Sequence, residues 1–140
     1  MRPEEFFDVH IRWQEDENHQ ELSRHGDYLH SDIEDIEVVQ PGAEPVVGIA
    51  AYCAMVEHAY LALPDFHVDL VDQFATDDRV VCRWRVSGTP SAESFGFPAT
   101  GKRIEYEGMS IWNFEDGKAR RGWIYSDLPS IMAQLGTSPD

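Results

Sequence analysis

Basic side chains are scarce in this chain of 140 residues: 11 lysines and arginines stand against 26 aspartates and glutamates, for a formal net charge of −15. Binding to nucleic acid draws on lysine and arginine neutralising phosphates, so that class of partner is excluded. An anionic membrane surface is excluded on the same ground. The acidity reads as solubility, with steering of a cationic ligand as the other use of such a field.

Cysteine is scarce too. Cys53 falls in a helical pattern and Cys82 on a strand, each among apolar neighbours. They read as buried free thiols rather than as a disulfide or a metal pair. No hydrophobic run approaches the roughly 20 residues of a membrane span. The start, MRPEEFFD, lacks the basic and apolar regions of a signal peptide, so a cytoplasmic location is expected. Internal repeats, low-complexity tracts and linkers are missing. So are a nucleophile elbow, a phosphate loop and a dinucleotide fingerprint. His10, His19, His25, His30, His58 and His67 show no metal-ligand spacing, and neither a metal nor a cofactor is expected.

What is present is a globular composition, 42% hydrophobic and 11% aromatic, in a length that suits one domain over 1–140. Residues 3–24 read as a helix, with Pro3 and two glutamates in its first turn and Phe6, Val9 or His10, and Trp13 near helical spacing. Its second half, QEDENHQE, is polar throughout and reads as exposed or frayed. Residues 28–35 suggest a turn of helix, followed by a short strand at 36–39 and a loop at 40–45. A second helix over 48–63 places Ile49, Tyr52, Val56, Tyr60 and Leu63 on one stripe. Alternation then marks strands from Phe66 to about residue 76 and from Val80 to Gly88. The loop 88–101 holds Phe95 and Phe97, with Gly88, Gly96 and Gly101 as hinges for gating a cavity.

The last third organises the chain. Two strand-like runs, 102–114 and 118–127, meet at Glu115-Asp116-Gly117-Lys118, and Asp-Gly between alternating runs is a strong hairpin signal. Trp123, Tyr125 and Asp127 stand at i, i+2 and i+4, so they share one strand face. Two aromatic walls and a carboxylate would make a pocket with a titratable group. Alternatively the aromatics are core and Asp127 caps the helix at 128–135 that Gly136 closes. Helices followed by a meander of strands mean α+β, with a curved antiparallel sheet wrapped around the N-terminal helices as a cone-shaped barrel and a short C-terminal helix.

These pieces resemble the SnoaL-like polyketide cyclases of the nuclear-transport-factor-2-like superfamily. The resemblance rests on Leu63-Pro64-Asp65-Phe66, on Asp78-Arg79-Val80-Val81 leading to Arg83-Trp84, and on Gly88-Thr89. It continues through Phe95-Gly96, Pro98-Ala99-Thr100-Gly101-Lys102, Phe114-Glu115-Asp116-Gly117-Lys118, Trp123-Ile124-Tyr125-Ser126-Asp127 and Gln134-Leu135-Gly136. It covers 48–136 in one consistent order. It implies an α+β barrel, dimeric or tetrameric, that closes rings by aldol chemistry on a small hydrophobic or aromatic substrate without metal or cofactor. It also implies Asp127 as the acid/base residue. Pro90 follows Gly88-Thr89 where the family has histidine. Asn113 stands where some of its cyclases carry another, and Asn can hydrogen-bond a carbonyl but not exchange a proton near neutrality.

One carboxyl can remove a proton from an activated carbon and later return it to oxygen if burial raises its pKa. Asp127 is the expected catalytic group. Asn113, Trp84, His67, Tyr125, Trp123, Phe95 and Phe97 are the expected substrate contacts, with Tyr28, His30 and Tyr52 as polar groups near the mouth. The expected function is a cofactor-independent cyclase or related isomerase, lyase or hydroxylation enzyme of the antibiotic-biosynthesis type. A hydrolase or dehydratase on the same fold, or a non-catalytic binding or dimerisation module, is the alternative.

Overall fold

A computed structural model describes residues 2–38, 42–91 and 98–136. Helix α1 spans Pro3–Asn18, with proline in its first turn beside Glu4 and Glu5. Those residues suit a helix start, where proline loses no hydrogen bond and carboxylates face the positive end of the dipole. The helix stops six residues before the expected end at residue 24. The Asn18 side chain there binds the backbone of Val68 in both directions, each at 2.8 Å, which pins the helix end to a strand. The polar half is not frayed either: Asp16 and Glu17 are buried.

A short 3-10 turn at His25–Asp27 leads into β1, Leu29–Glu37, where a turn of helix had been expected over 28–35. The apolar residues Leu29, Ile33 and Ile36 are spaced four and three apart, which mimics a helix. In the structure Ile33 shares a face with the inward Asp35 and Glu37 while Ile36 takes the other, and a register shift falls between Leu29 and Glu34 where β1 lies on β6. A bulge breaks the two-residue period that identifies strands.

Strand β2, Val46–Val47, pairs with β1, and α2 follows at Ile49–Ala62. Strands β3, β4, β5 and β6 span His67–Ala75, Arg79–Gly88, Ile104–Glu115 and Lys118–Ser126, before α3 at Leu128–Leu135. The sheet order is β2-β1-β6-β5-β4-β3. Strands β3 to β6 form the expected antiparallel meander, while β1 joins β6 in parallel. The α+β class stands, with a mixed and open six-stranded sheet in place of a wholly antiparallel one. Asp116 and Gly117 both take positive φ, 53° and 77°, between the paired Glu115 and Lys118. Two successive positive φ values make the mirror-image turn that matches strand twist.

The inner sheet face packs on α1 and α2. Phe6 meets Phe114 with ring centroids 4.8 Å apart, and Trp13 meets Trp112 at 4.9 Å. Burying each such side chain is worth about 1.5–3 kcal/mol. Gly122 on β6 permits this approach, because a Cβ there would sit 2.5 Å from the Trp112 ring. Helix α3 lies against β5 through Ile131 and Leu135 on Ile104. The Gln134 side chain reinforces it, donating to Glu105 O at 2.6 Å and accepting from Glu105 N at 2.8 Å.

Candidate active site

Strand parity decides which side chains reach the interior. On β5 the inward residues are Tyr106, Ser110 and Trp112, and on β6 they are Ile124 and Ser126. With α1, α2, β1 and β4 they line a cavity of about 540 Å³. Its walls are largely apolar, including Trp13, Tyr52, Phe66, Trp84, Tyr106 and Trp112. Into this lining the fold places His10 and Glu17 from α1, and Asp35 and Glu37 from β1.

Glu17 is the most heavily hydrogen-bonded of these groups. Its Oε2 accepts from Trp13 Nε1 at 2.5 Å, from Tyr52 Oη at 2.8 Å and from His25 Nε2 at 2.9 Å. Trp13 precedes Glu17 by one helical turn, so both leave the same face of α1. Tyr52 comes from α2 and His25 from the 3-10 turn, which ties three segments to one oxygen. Desolvation first, and then the charge of Glu17, hold the Tyr52 hydroxyl well above its ordinary pKa. Tyr52 therefore acts as a donor.

Asp35 is only 3% exposed, and its Oδ1 has no hydrogen-bond partner among the described residues. Burial pushes its pKa up to about 10, helped by the hydrogen bond and charge of Glu37 and by the charge of Glu17. Near neutrality Asp35 is an uncharged acid with a proton to share. An apolar pocket that keeps a carboxyl neutral turns it into a hydrogen-bond donor.

His10 moves the opposite way. Burial lowers its pKa, opposed by the hydrogen bond to Gln73 and by the charge of Glu17. Its Nδ1 lies 3.0 Å from Gln73 Oε1. An amide oxygen can only accept, so Nδ1 carries the proton and Nε2 keeps a free lone pair.

The expected site residues divide sharply. Trp84 lines the cavity, as does Tyr52 from the expected mouth. Trp123 and Tyr125 do share one face of the strand, but it is the outer one, and Asp127 lies just past the strand's end. Tyr125 is 47% exposed. Asp127 is exposed rather than buried, and its Oδ1 accepts from Ser130 N at 3.2 Å as the N-cap of α3. A two-residue period shows which side chains share a face, not which face meets the helices. Asn113 lies on the outer parity of β5, with a buried Oδ1 lacking a partner among the described residues. His67 is exposed and pairs with Asp69 at 3.1 Å. His30 approaches Glu115 at 3.7 Å, and Tyr28 donates to Asp16 at 2.6 Å. Phe95 and Phe97 lie outside the described residues, as does the centre of the loop expected to gate the cavity.

Asp35, Glu17 and His10 were missed for identifiable reasons. Glu17 sits in a wholly polar stretch that reads as solvent-facing, and Asp35 in a segment read as helical. His10 stood on the core stripe of α1 but was set aside for want of metal-ligand spacing. A titratable side chain on a buried stripe was the available signal.

The SnoaL-like polyketide cyclase family matches the chain over residues 8–135. A SnoaL-like polyketide cyclase from Agrobacterium tumefaciens superposes with a TM-score of 0.82 at 23% identity, covering 97% of this chain and 100% of that one. AclR, a candidate hydroxylase from Streptomyces galilaeus, gives 0.80 at 24% identity, covering 97% and 83%. IdmH, a candidate polyketide cyclase from Streptomyces antibioticus, gives 0.79 at 24% identity, covering 94% and 99%. At such identities these structures bear on the fold alone. No curated protein matches the chain.

Proposed function

Because the chain belongs to the SnoaL-like polyketide cyclase family, we propose that it is an acid/base enzyme closing or isomerising a ring on a polyketide-like molecule. It does so without metal or cofactor, because a carbon flanked by carbonyls is acidic enough for a side-chain base. One observation carries the reading. Within a single apolar cavity, Asp35 is driven to hold a proton and His10 to be without one. Titratable groups pushed apart in this way mark the acid and the base.

In this mechanism His10 Nε2 removes the activated C–H proton. The resulting enolate attacks a carbonyl of the same molecule. Asp35 donates a hydrogen bond to that carbonyl and then its proton to the alkoxide. A proton passed from His10 back to Asp35, directly or through water, resets the site. Glu17 holds Tyr52 and Trp13 in place and stabilises positive charge developing on His10. Exposed apolar residues on the outer sheet face, among them the paired Met109 and Tyr125, support assembly as a homodimer or tetramer.

A second reading keeps Asp127 in the role implied by the family pattern. It is favoured by the position of Asp127 between Ser126 and Leu128, both of which line the cavity. An aromatic diketone poised for intramolecular aldol closure tests the proposal. Wild-type protein should accelerate closure, and His10→Gln should lose the acceleration. Closure no faster than in buffer would leave a binding module.

A further inference from the structure

None of the 11 lysines and arginines lines the cavity, whereas Glu17, Asp35, Glu37 and Glu44 all do. Six aromatic side chains share the same walls. Carboxylates set among aromatic faces are the chemistry that recognises an ammonium group, through direct charge attraction and through the negative face of each ring. An anion entering this space would meet acid on several sides and no compensating cation.

Two unpartnered groups show that the lining is unfinished without a ligand. Asp35 Oδ1 is buried with no partner among the described residues, and so is the amide Nε2 of Gln14, which also belongs to the lining. Buried polar atoms rarely stay unpaired. One of these seeks a donor and the other an acceptor. On the far side of Glu17, His25 Nε2 lies 2.9 Å from its Oε2, and His25 Nδ1 is buried with no partner among the described residues.

We propose that the natural ligand combines an aromatic or similarly flat apolar skeleton with a protonated amine and an oxygen acceptor, and that the cavity rejects carboxylates and phosphates. The amine faces the carboxyl group of Glu17 or Glu37, and the oxygen accepts from Gln14. This deepens the proposed function, resting on the cavity being the reaction site, by giving the substrate a charge.

Calorimetric titration of the wild-type protein with naphthylmethylamine, naphthylmethanol and naphthoate varies charge on one ring system. The amine should bind roughly tenfold or more tightly than the alcohol, on the scale of a desolvated cation on aromatic and carboxylate groups. Naphthoate should bind more weakly than either. Glu17→Gln should narrow the gap between amine and alcohol. Should that variant fail to fold, Glu37→Gln serves the same comparison. Naphthoate binding as tightly as the amine would overturn the charge preference and leave the acid/base proposal standing. So would an amine preference unchanged by Glu17→Gln and Glu37→Gln. If none of the three binds, the charge preference falls, while closure of the diketone still decides the acid/base proposal.

Discussion

Asp35 and Glu37 stand two residues apart on β1, so their side chains leave the same strand face, and both line the cavity. Burial first, and then Glu37 beside it, hold the Asp35 carboxyl protonated near neutrality. Strand β1 lies in the sheet between β2 and β6, where an inward position would ordinarily be apolar. A buried acid there works against stability, and its persistence is a mark of function.

That cost is measurable. Asp35 has an ordinary value of 3.8 and a folded value pushed up to about 10. Its favourable contribution is therefore complete below the unfolded pKa, and stability falls as pH rises from there toward the folded value. Asp35→Asn removes the titration. The variant should melt close to wild type near pH 4 and above it at pH 8, with the gap widening as pH rises between them. Thermal melts at both pH values check this, and a difference that does not grow with pH would contradict it.

The proposed base gives a prediction about catalysis. Burial lowers the pKa of His10 from 6.5, and only the neutral ring can accept a proton at Nε2. Activity should therefore decline on the acid side with a midpoint below 6.5, the imidazolium being the inactive form. His10→Gln should lose about 10² to 10⁴-fold in kcat, the usual range for a general base. The acid limb should vanish with it. A limb that survives in His10→Gln would assign it to another group.

A glycine on β5 supports the wall formed by Trp84. A Cβ on Gly108 would lie 2.2 Å from the Trp84 ring and 2.5 Å from the carbonyl oxygen of Tyr125. Gly108→Ala must displace a cavity wall or open the β5–β6 pairing. Overpacking of this kind costs about 1–3 kcal/mol, and ligand affinity should fall along with the melting temperature. Unchanged affinity in a destabilised variant would show that Trp84 does not shape the ligand space.

Local rules located most of the elements. Alternation marked β3 and β4, Asp116-Gly117 marked the hairpin, and Gly136 marked the end of α3, which it closes in the left-handed conformation at φ 76°. The parallel pairing of β1 with β6 was hidden because a bulge erased the period by which strand β1 could be recognised. For the site, parity grouped Trp123 with Tyr125 correctly, but Asp127 falls beyond the strand. Parity could not say that Ile124 and Ser126 would take the inner face. The inner face is the one that packs with α1 and α2, a contact between segments far apart in the chain that no single segment encodes.

The two carboxyls can be separated in one experiment. Asp127→Asn preserves a helix cap, since an Asn side chain can also accept from Ser130 N, so stability should change by less than about 1 kcal/mol. Asp35→Asn keeps the shape of the inner acid but removes its exchangeable proton. If Asp35 is the acid, Asp35→Asn should reduce turnover of the diketone by about 10² to 10⁴-fold, with KM nearly unchanged. Asp127→Asn should stay within about threefold of wild type, the usual scatter of a surface change. The reverse pattern would restore Asp127 to the role its family position implies, and would require the α3 end to move so that its carboxyl reaches the cavity. Near-normal turnover in both variants would leave ring closure to His10 and Glu17, and would assign the Asp35 proton to ligand binding alone.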